Sequence, residues 1–320
     1  MPGQVWVQNT LGGYFANPKL SEEIRYQSIP LMRFRQFTKF VKGFGSNAGD
    51  RILFDKISRV STPGGQLTEG TPIPETNFTV GQGSVIVVEW GNGIPFTGKL
   101  EALSQWDVED PIQRTLRDDE ALVLDQAAGT QFRSTQVVYA ATGTPQLPTS
   151  TITYGYTGGV SGAAPVVGTR NLQSWDVRQI IDEMKRKHVP KFDGENYIAV
   201  GSILGLRGLN EDQTVGGWVD AAKYGDPERL FSGERGRYYS CRFVEETNNL
   251  LENLGGGAGE VVFFGADSVS EAVAIPEELR YDIPQDAGRV KKIVWYALLG
   301  FQIMWLWNTD SETRIYRIWQ

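Results

Sequence analysis

Histidine, cysteine and clustered carboxylates do most enzymatic and metal chemistry, and this chain of 320 residues has one His and one Cys. Any Ser-His-Asp arrangement would have to run through His188, with a nucleophile and an orienting acid converging on its imidazole. His188 falls at the end of an amphipathic segment in line with Met184, where a packed or half-exposed structural histidine is expected. A zinc site built from Cys and His needs more than Cys241 and His188, so no metal and no cofactor is expected. Asp118, Asp119 and Glu120 could offer paired carboxylates, but Arg114 and Arg117 stand among them. Arg114 and Asp118 are four apart, the spacing of ion pairs on a solvated helix face. The run LGGGAGE from Leu254 to Glu260 has the glycines of a phosphate cradle without the Lys and Ser/Thr that follow them in a P-loop. A turn between strands is the better reading. Cys241, inside a strand-like run, reads as a buried inert thiol, and Asn77-Phe78-Thr79 as a chance match to a glycosylation acceptor. Nothing here assembles an active site, and the chain is not expected to be an enzyme.

The elements around these residues suggest a structural role. A body of this length buries roughly 75% of its unfolded surface without covalent staples, and a single cysteine excludes an internal disulfide. The first residues, MPGQVWVQNTLGGYF, lack the basic stretch and apolar core of an export signal, so cytoplasmic synthesis is expected. The most apolar window, Ile293 to Trp307, falls short of the ~20 residues that span a bilayer and contains Gln302. It reads as buried strand. A net charge of −7 disfavours a dedicated DNA-binding protein, which needs cations to displace counterions from phosphates. An anionic wall remains compatible with enclosing DNA.

From Pro18 to Phe44 the chain is locally basic, with Lys19, Arg25, Arg33, Arg35, Lys39 and Lys42 against Glu22 and Glu23. Phe34, Phe37, Val41 and Phe44 recur at helical spacing, yet Pro30 argues for an extended arm with at most one short helix. That arm could lie on a neighbouring molecule or pack on its own domain. Two strand-like runs follow, Arg51 to Val60 and Phe78 to Trp90, joined by STPGGQLTEGTPIPETN. Such a connector has little to bury, and a two-stranded ribbon is marginal in water without another surface to lie on. Either the same chain or another could supply that surface.

A helix is predicted next, with Asp110 as N-cap, Pro111 at the first helical position, and a stripe of Ile112, Leu116, Val123, Leu124, Ala127 and Ala128 that Gly129 and Thr130 weaken. The stretch from Val137 to Thr169, with a strand signal at Thr151 to Tyr156, reads as a surface loop or hairpin at a domain boundary. A second helix starts near Ser174, carries Val177, Ile180, Ile181, Met184 and His188 on one face, and stops at Val189-Pro190. Lys185, Arg186 and Lys187 in its last turn suit the helix dipole and imply no nucleic acid. Strand-like segments then run over Tyr197 to Ile203, Tyr238 to Glu245, Glu260 to Phe264, Val290 to Leu299, Phe301 to Trp307 and Thr313 to Trp319. The pattern is α+β.

In this order of parts the chain resembles the Hong Kong 97-type capsid fold, and more narrowly the tailed-phage major capsid family named for coliphage N-four. The resemblance is carried by FVKGFGSNAGDRILF, LTEGTPIPETNFTVGQGSVIVVEWGNGIPFT, ERGRYYSCRFVEETN, VVFFGADSVSEAV and AGRVKKIVWYALLGFQIMW. Where relatives often have His-Pro after the strand ending at Val200, this chain has Gly201 and Ser202. The resemblance implies an N-terminal arm at 1–44, an extended β-hairpin loop at 45–98, and a peripheral domain with a long spine helix at 99–170. It further implies an axial domain at 171–289 and C-terminal strands at 290–320 that return to the peripheral or axial sheet.

The function implied is that of a major capsid protein that self-assembles into pentamers and hexamers of an icosahedral head around double-stranded DNA. Scaffolding, portal and cement or decoration proteins would be its partners, the virion head its location, and no membrane would be involved. Some members of the wider fold cross-link subunits through Lys and Asn; Lys56 lies in the ribbon without a reason to assign it that chemistry. Arg33, Arg35, Lys39, Gln66, Glu69 and Glu75 are the residues expected at an assembly interface. Rival readings are an encapsulin-like compartment shell, a soluble hydrolase using His188, and a minor head or decoration protein.

Overall fold

The computed structural model of the chain describes residues 26–41, 49–58, 60, 64–70, 72–156, 168–212, 217–218, 234–253, 258–283, 286 and 289–319. The expectations for Lys19, Arg25, Lys42, Phe44 and the glycines 255–257 lie outside these residues. The described part of the arm contains one 3-10 turn, Arg35–Phe37, and then strand β1 (Lys39–Val41). The helical spacing of Phe34, Phe37 and Val41 therefore does not make a helix. Phe34 and Phe37 are buried by the turn, and Val41 belongs to a strand.

The ribbon consists of β2 (Arg51–Ile57) and β3 (Val80–Ile86), paired antiparallel with Lys56 opposite Gly81 and Ile57 opposite Val80. It leads into β4 (Val88–Thr97) and a short helix α1 (Gly98–Leu103). The long helix α2 runs over Glu109–Arg133, and both of its ends differ from expectation. Its cap is Val108, and the carboxylate of Asp107, not of Asp110, accepts from the Glu109 N–H at 2.9 Å. It also continues past Gly129, because there the glycine serves packing: a Cβ would lie 2.5 Å from the Asn249 side chain. The stripe Ile112, Leu116, Leu124, Ala128 and Phe132 is buried.

Of the two readings of the stretch after α2, surface loop or hairpin, the structure shows the hairpin. Strand β5 (Val137–Gly143) is buried from Val137 to Ala141 and forms a hairpin with β6 (Pro148–Tyr154), the edge strand of the main sheet. Helix α3 (Ser174–Arg186) begins where expected, with a capping box between Gln173 and Asp176, and buries Val177, Ile180, Ile181 and Met184. His188 leaves that face, since its φ of 57° turns the chain out of the helix and exposes the side chain. Strand β7 (Tyr197–Gly201) precedes helix α4 (Ile203–Glu211), which was not anticipated and whose N-cap is Ser202. The strand expected over Tyr238 to Glu245 is a hairpin of β8 (Glu234–Tyr238) and β9 (Cys241–Glu245), with Tyr239 and Ser240 both at positive φ in the turn.

The remaining elements are β10 (Glu252–Asn253), β11 (Ala258–Phe264), β12 (Val269–Tyr281), β13 (Val290–Ile303), α5 (Trp307–Asp310) and β14 (Ile315–Trp319). Strand β12 forms where the sequence pattern predicts none, and the two strands expected on either side of Gly300 are one. Gly300 is not a break but a crossing point: a Cβ there would sit 1.9 Å from the Ile86 carbonyl oxygen, so only glycine lets the ribbon lie on β13.

One sheet has the order β1-β12-β13-β4, with β1 parallel to β12 and the other pairs antiparallel. The larger sheet has the order β6-β5-β14-β11-β7-β9-β8, with β10 pairing beside β11. Its two faces bury separate sets. Val262, Phe264, Ile198 and Val200 pack with α2, Phe34 and Phe37, whereas Val261, Phe263, Tyr197 and Ala199 pack with α3 and α4. The sheets do not follow the divisions expected at 99–170 and 171–289, since β5 and β6 lie in the larger sheet and β12 in the smaller.

Candidate assembly surface

The residues expected at an interface lie on the arm and the ribbon, and the two behave differently. The described arm is held by its own chain. Leu31 N donates to Thr247 Oγ1 at 2.8 Å, and Thr247 N returns a bond to the Leu31 carbonyl at 3.1 Å. The Phe34 ring lies 5.3 Å from that of Phe132, and the Phe37 ring 5.4 Å from that of Phe264. The Arg35 guanidinium reaches Glu271 at 2.8 Å and Glu277 at 2.9 Å. Burial disfavours the Arg35 charge, but these two carboxylates outweigh burial and hold its pKa above the ordinary arginine value. Lys39 pairs with Asp267 at 2.6 Å while staying largely exposed. Arg33 is half-buried, donates to the Met32 carbonyl at 3.3 Å, and has no partner for its buried Nε among the described residues. Arg35 is thus an internal brace.

The ribbon has two unlike faces, as the alternation of a strand requires. Inward, Ile52, Phe54, Val85 and Val87 pack on Ala272, Ala274 and Leu298 of the smaller sheet. Lys56 also points inward, and its ammonium bonds Asp310 at 2.9 Å and lies 5.3 Å from the centre of the Trp305 ring. Both partners of that pair are about nine-tenths buried, at 10% and 11% side-chain exposure. Outward, Leu53, Ile57 and Val80 are 56%, 67% and 54% exposed, with Ile86 beside them. The tip, described over 64–70 and 72–79, is exposed throughout, including Leu67, Ile73 and Phe78. Gln66, Glu69 and Glu75 are exposed within it and have no ion pair or hydrogen bond among the described residues. The connector carries no cation between Val60 and Val80, so the tip is acidic.

The outer-face residues Leu53, Ile57, Val80 and Ile86 escaped sequence reading. In RILFDKI both alternating sets contain apolar residues, so period two does not say which set faces in. The one usable signal was the glycine pair Gly81 and Gly83, which sits across from Lys56 and Phe54 and marks the inward face.

His188 lines a cleft of about 620 Å³ between the tip-ward end of the ribbon strands and the body, which Lys56, Trp305, Trp307, Asp310 and Arg314 also line. Among the described residues no hydrogen bond orients its imidazole. The one deeply seated carboxylate there, Asp310, is committed to Lys56 and to the Leu306 N–H at 2.9 Å. Among the described residues the base-and-acid geometry of a triad is not formed. Cys241 is fully buried, and burial pushes its thiol well above the ordinary cysteine value.

No family model matches the chain, and no curated protein matches it. Among solved structures it is similar over nearly its whole length to the capsid of Ralstonia phage GP4, at 17% identity and a TM-score of 0.65, covering 98% of this chain and 97% of that one. The capsid of cyanophage P-SCSP1u matches at 12% identity and a TM-score of 0.64, covering 95% and 92%. A chain of Mycobacterium phage Che8 matches at 13% identity and a TM-score of 0.61, covering 97% of each. Likeness at such identities is likeness of fold: the chain has the Hong Kong 97-type fold of phage capsid structures.

Proposed function

We propose that this chain is the major capsid protein of a tailed bacteriophage, whose copies form the pentamers and hexamers of an icosahedral head enclosing double-stranded DNA. One observation carries the reading: a chain with this fold from end to end projects a ribbon whose outer apolar face and acidic tip have no cover among its own described residues. A head-to-tail contact that closes by rotation makes rings, and rings joined through such projections make a shell. The role is structural, not catalytic. The ribbon would lie on an adjacent copy, with Gln66, Glu69 and Glu75 at that contact and Arg33 and Lys39 near it; Arg35 would act by bracing the arm. The smaller sheet with α2 would form the peripheral domain and the larger sheet the axial domain. The anionic balance suits containment of DNA without sequence-specific contact.

In the narrower form of this proposal the chain belongs with the coliphage N-four-like capsid proteins. It is made in the bacterial cytoplasm and assembles with scaffolding and portal proteins and a cement or decoration protein. Electron microscopy of the expressed chain, with scaffold where required, tests the reading, and closed shells are the expected result. Deleting Thr62 to Glu75 should leave the body folded and abolish or weaken shells; an unchanged particle yield counts against the ribbon's role. Protein cargo in place of DNA inside native particles would favour an encapsulin-like shell.

A further inference from the structure

Beneath the arm lie two carboxylates that the assembly reading does not use. Asp125 on α2 and Glu246 after β9 are 3% and 0% exposed. Both bind the same Asn248-Asn249 pair. Glu246 Oε1 accepts from the Asn248 and Asn249 backbone N–H groups at 2.7 and 2.8 Å, and Oε2 from Leu250 N at 3.2 Å. Asp125 Oδ2 accepts from the Asn248 and Asn249 side-chain amides at 3.3 and 3.2 Å. The arm bridges the two sides of this cluster, because Arg35 N donates to Asp125 Oδ1 at 3.0 Å while Leu31 exchanges bonds with Thr247, the residue after Glu246.

Among the described residues neither carboxylate has a cationic partner. On the elements packed around them, the Arg35 side chain is turned to Glu271 and Glu277, and Arg133 of α2 and Arg317 of β14 are turned to Glu260. Gln126 contributes a neutral bond to Asn248 at 3.2 Å. Glu120, elsewhere on α2, senses Glu277, Arg35 and Arg117. Two buried carboxylates linked through one pair of amides, with no counter-charge, do not both ionise cheaply.

We propose that Asp125 and Glu246 form a shared proton site, and that one proton held there fastens the arm to the spine helix and is released to unfasten it. Burial first, and the Asp125 charge in addition, raise the Glu246 carboxyl from 4.5 to about 7 against the opposing pull of its backbone donors. Burial also raises Asp125, against the hydrogen bonds from Arg35, Asn248 and Asn249. A folded-state value above the unfolded one means that the proton's contribution is fully present below the ordinary glutamate value and is lost as pH rises through about 7. Alkali, not acid, then loosens the arm.

Hydrogen–deuterium exchange of the purified full chain tests this in the arm amides that include Leu31 and Arg35. After correction for the intrinsic rate, their protection should fall roughly tenfold between pH 6 and pH 9, while β11 stays protected. Glu246→Gln keeps an oxygen acceptor and cannot ionise, so its arm protection should be flat over that range. Asp125→Asn removes the like charge and should move the transition to lower pH. A wild-type arm equally protected at both pH values overturns the proposal, as does a Glu246→Gln chain that keeps the wild-type pH dependence. Should Glu246→Gln fail to fold, the wild-type profile and the Asp125→Asn shift decide, and an unshifted transition overturns the sharing.

Discussion

Strands β2 and β11 are each seven residues long and rich in apolar side chains, yet one is bare on a face and the other is not. β11 has β14 on one edge and β7 on the other, with α2 and the arm over one face and α3 and α4 over the opposite one. Among the described residues β2 has one neighbour, β3, and one covered face. Strand propensity is satisfied in both; what differs is the number of layers the chain can supply. Fully burying one large aliphatic side chain is worth about 1.5–3 kcal/mol. Covering Leu53, Ile57, Val80 and Ile86 therefore offers several kcal/mol per contact before the cost of association is met. In the larger sheet the equivalent energy is already spent on folding.

The sharpest way to break this contrast is to damage the sheet that is complete. Glu260 is fully buried between Arg133, at 3.0 Å, and Arg317. Glu260→Ala strands both guanidinium groups and should cost about 3–5 kcal/mol, read as a fall in the denaturation midpoint of the chain. Next in size, Gly300→Val would drive a side chain into the Ile86 carbonyl and lift the ribbon from β13. It should destabilise by about 1–3 kcal/mol, and limited proteolysis should cut the ribbon before the body.

Lys56→Met should leave the mostly buried Asp310 carboxylate unpaired, at about 1–3 kcal/mol, measured by chemical denaturation; Lys56→Met with Asp310→Leu should recover most of that loss. The smallest effect on folding belongs to the bare face. Leu53→Ser with Ile57→Ser should shift the folding free energy by no more than about 0.5 kcal/mol, while shell yield by electron microscopy falls sharply. A large loss of folding stability there would show that the outer face serves the chain itself.

Much of this molecule was legible from its residues. The stripe from Ile112 to Ala128, the capped start at Ser174 and the apolar run at Phe263 each state one preference clearly, and each formed the element expected. The failures share a cause. β12 reads VSEAVAIPEELRY, with Pro276 and several charges, and becomes a strand because β13 pairs along it and Arg35 neutralises Glu271 and Glu277. Gly129 and Gly300 resemble breaks but serve close approach by Asn249 and Ile86. Of the residues expected at an interface, Gln66, Glu69 and Glu75 are exposed, whereas Arg35 is taken up inside the chain.

By itself the sequence determined the local character of each segment: few residues capable of catalysis, two amphipathic helices, many short strands, and a polar connector too poor in apolar groups to form a core. These follow from composition and periodicity, which act over one or two turns of chain. Only the tertiary structure decided which alternate residues of the ribbon stayed uncovered, that the arm's phenyl rings closed the core of their own molecule, and that Asp125 met Glu246. Those outcomes depend on partners distant in the chain, 90 residues apart for Arg35 and Asp125 and 216 for Leu31 and Thr247, and no local pattern encodes them.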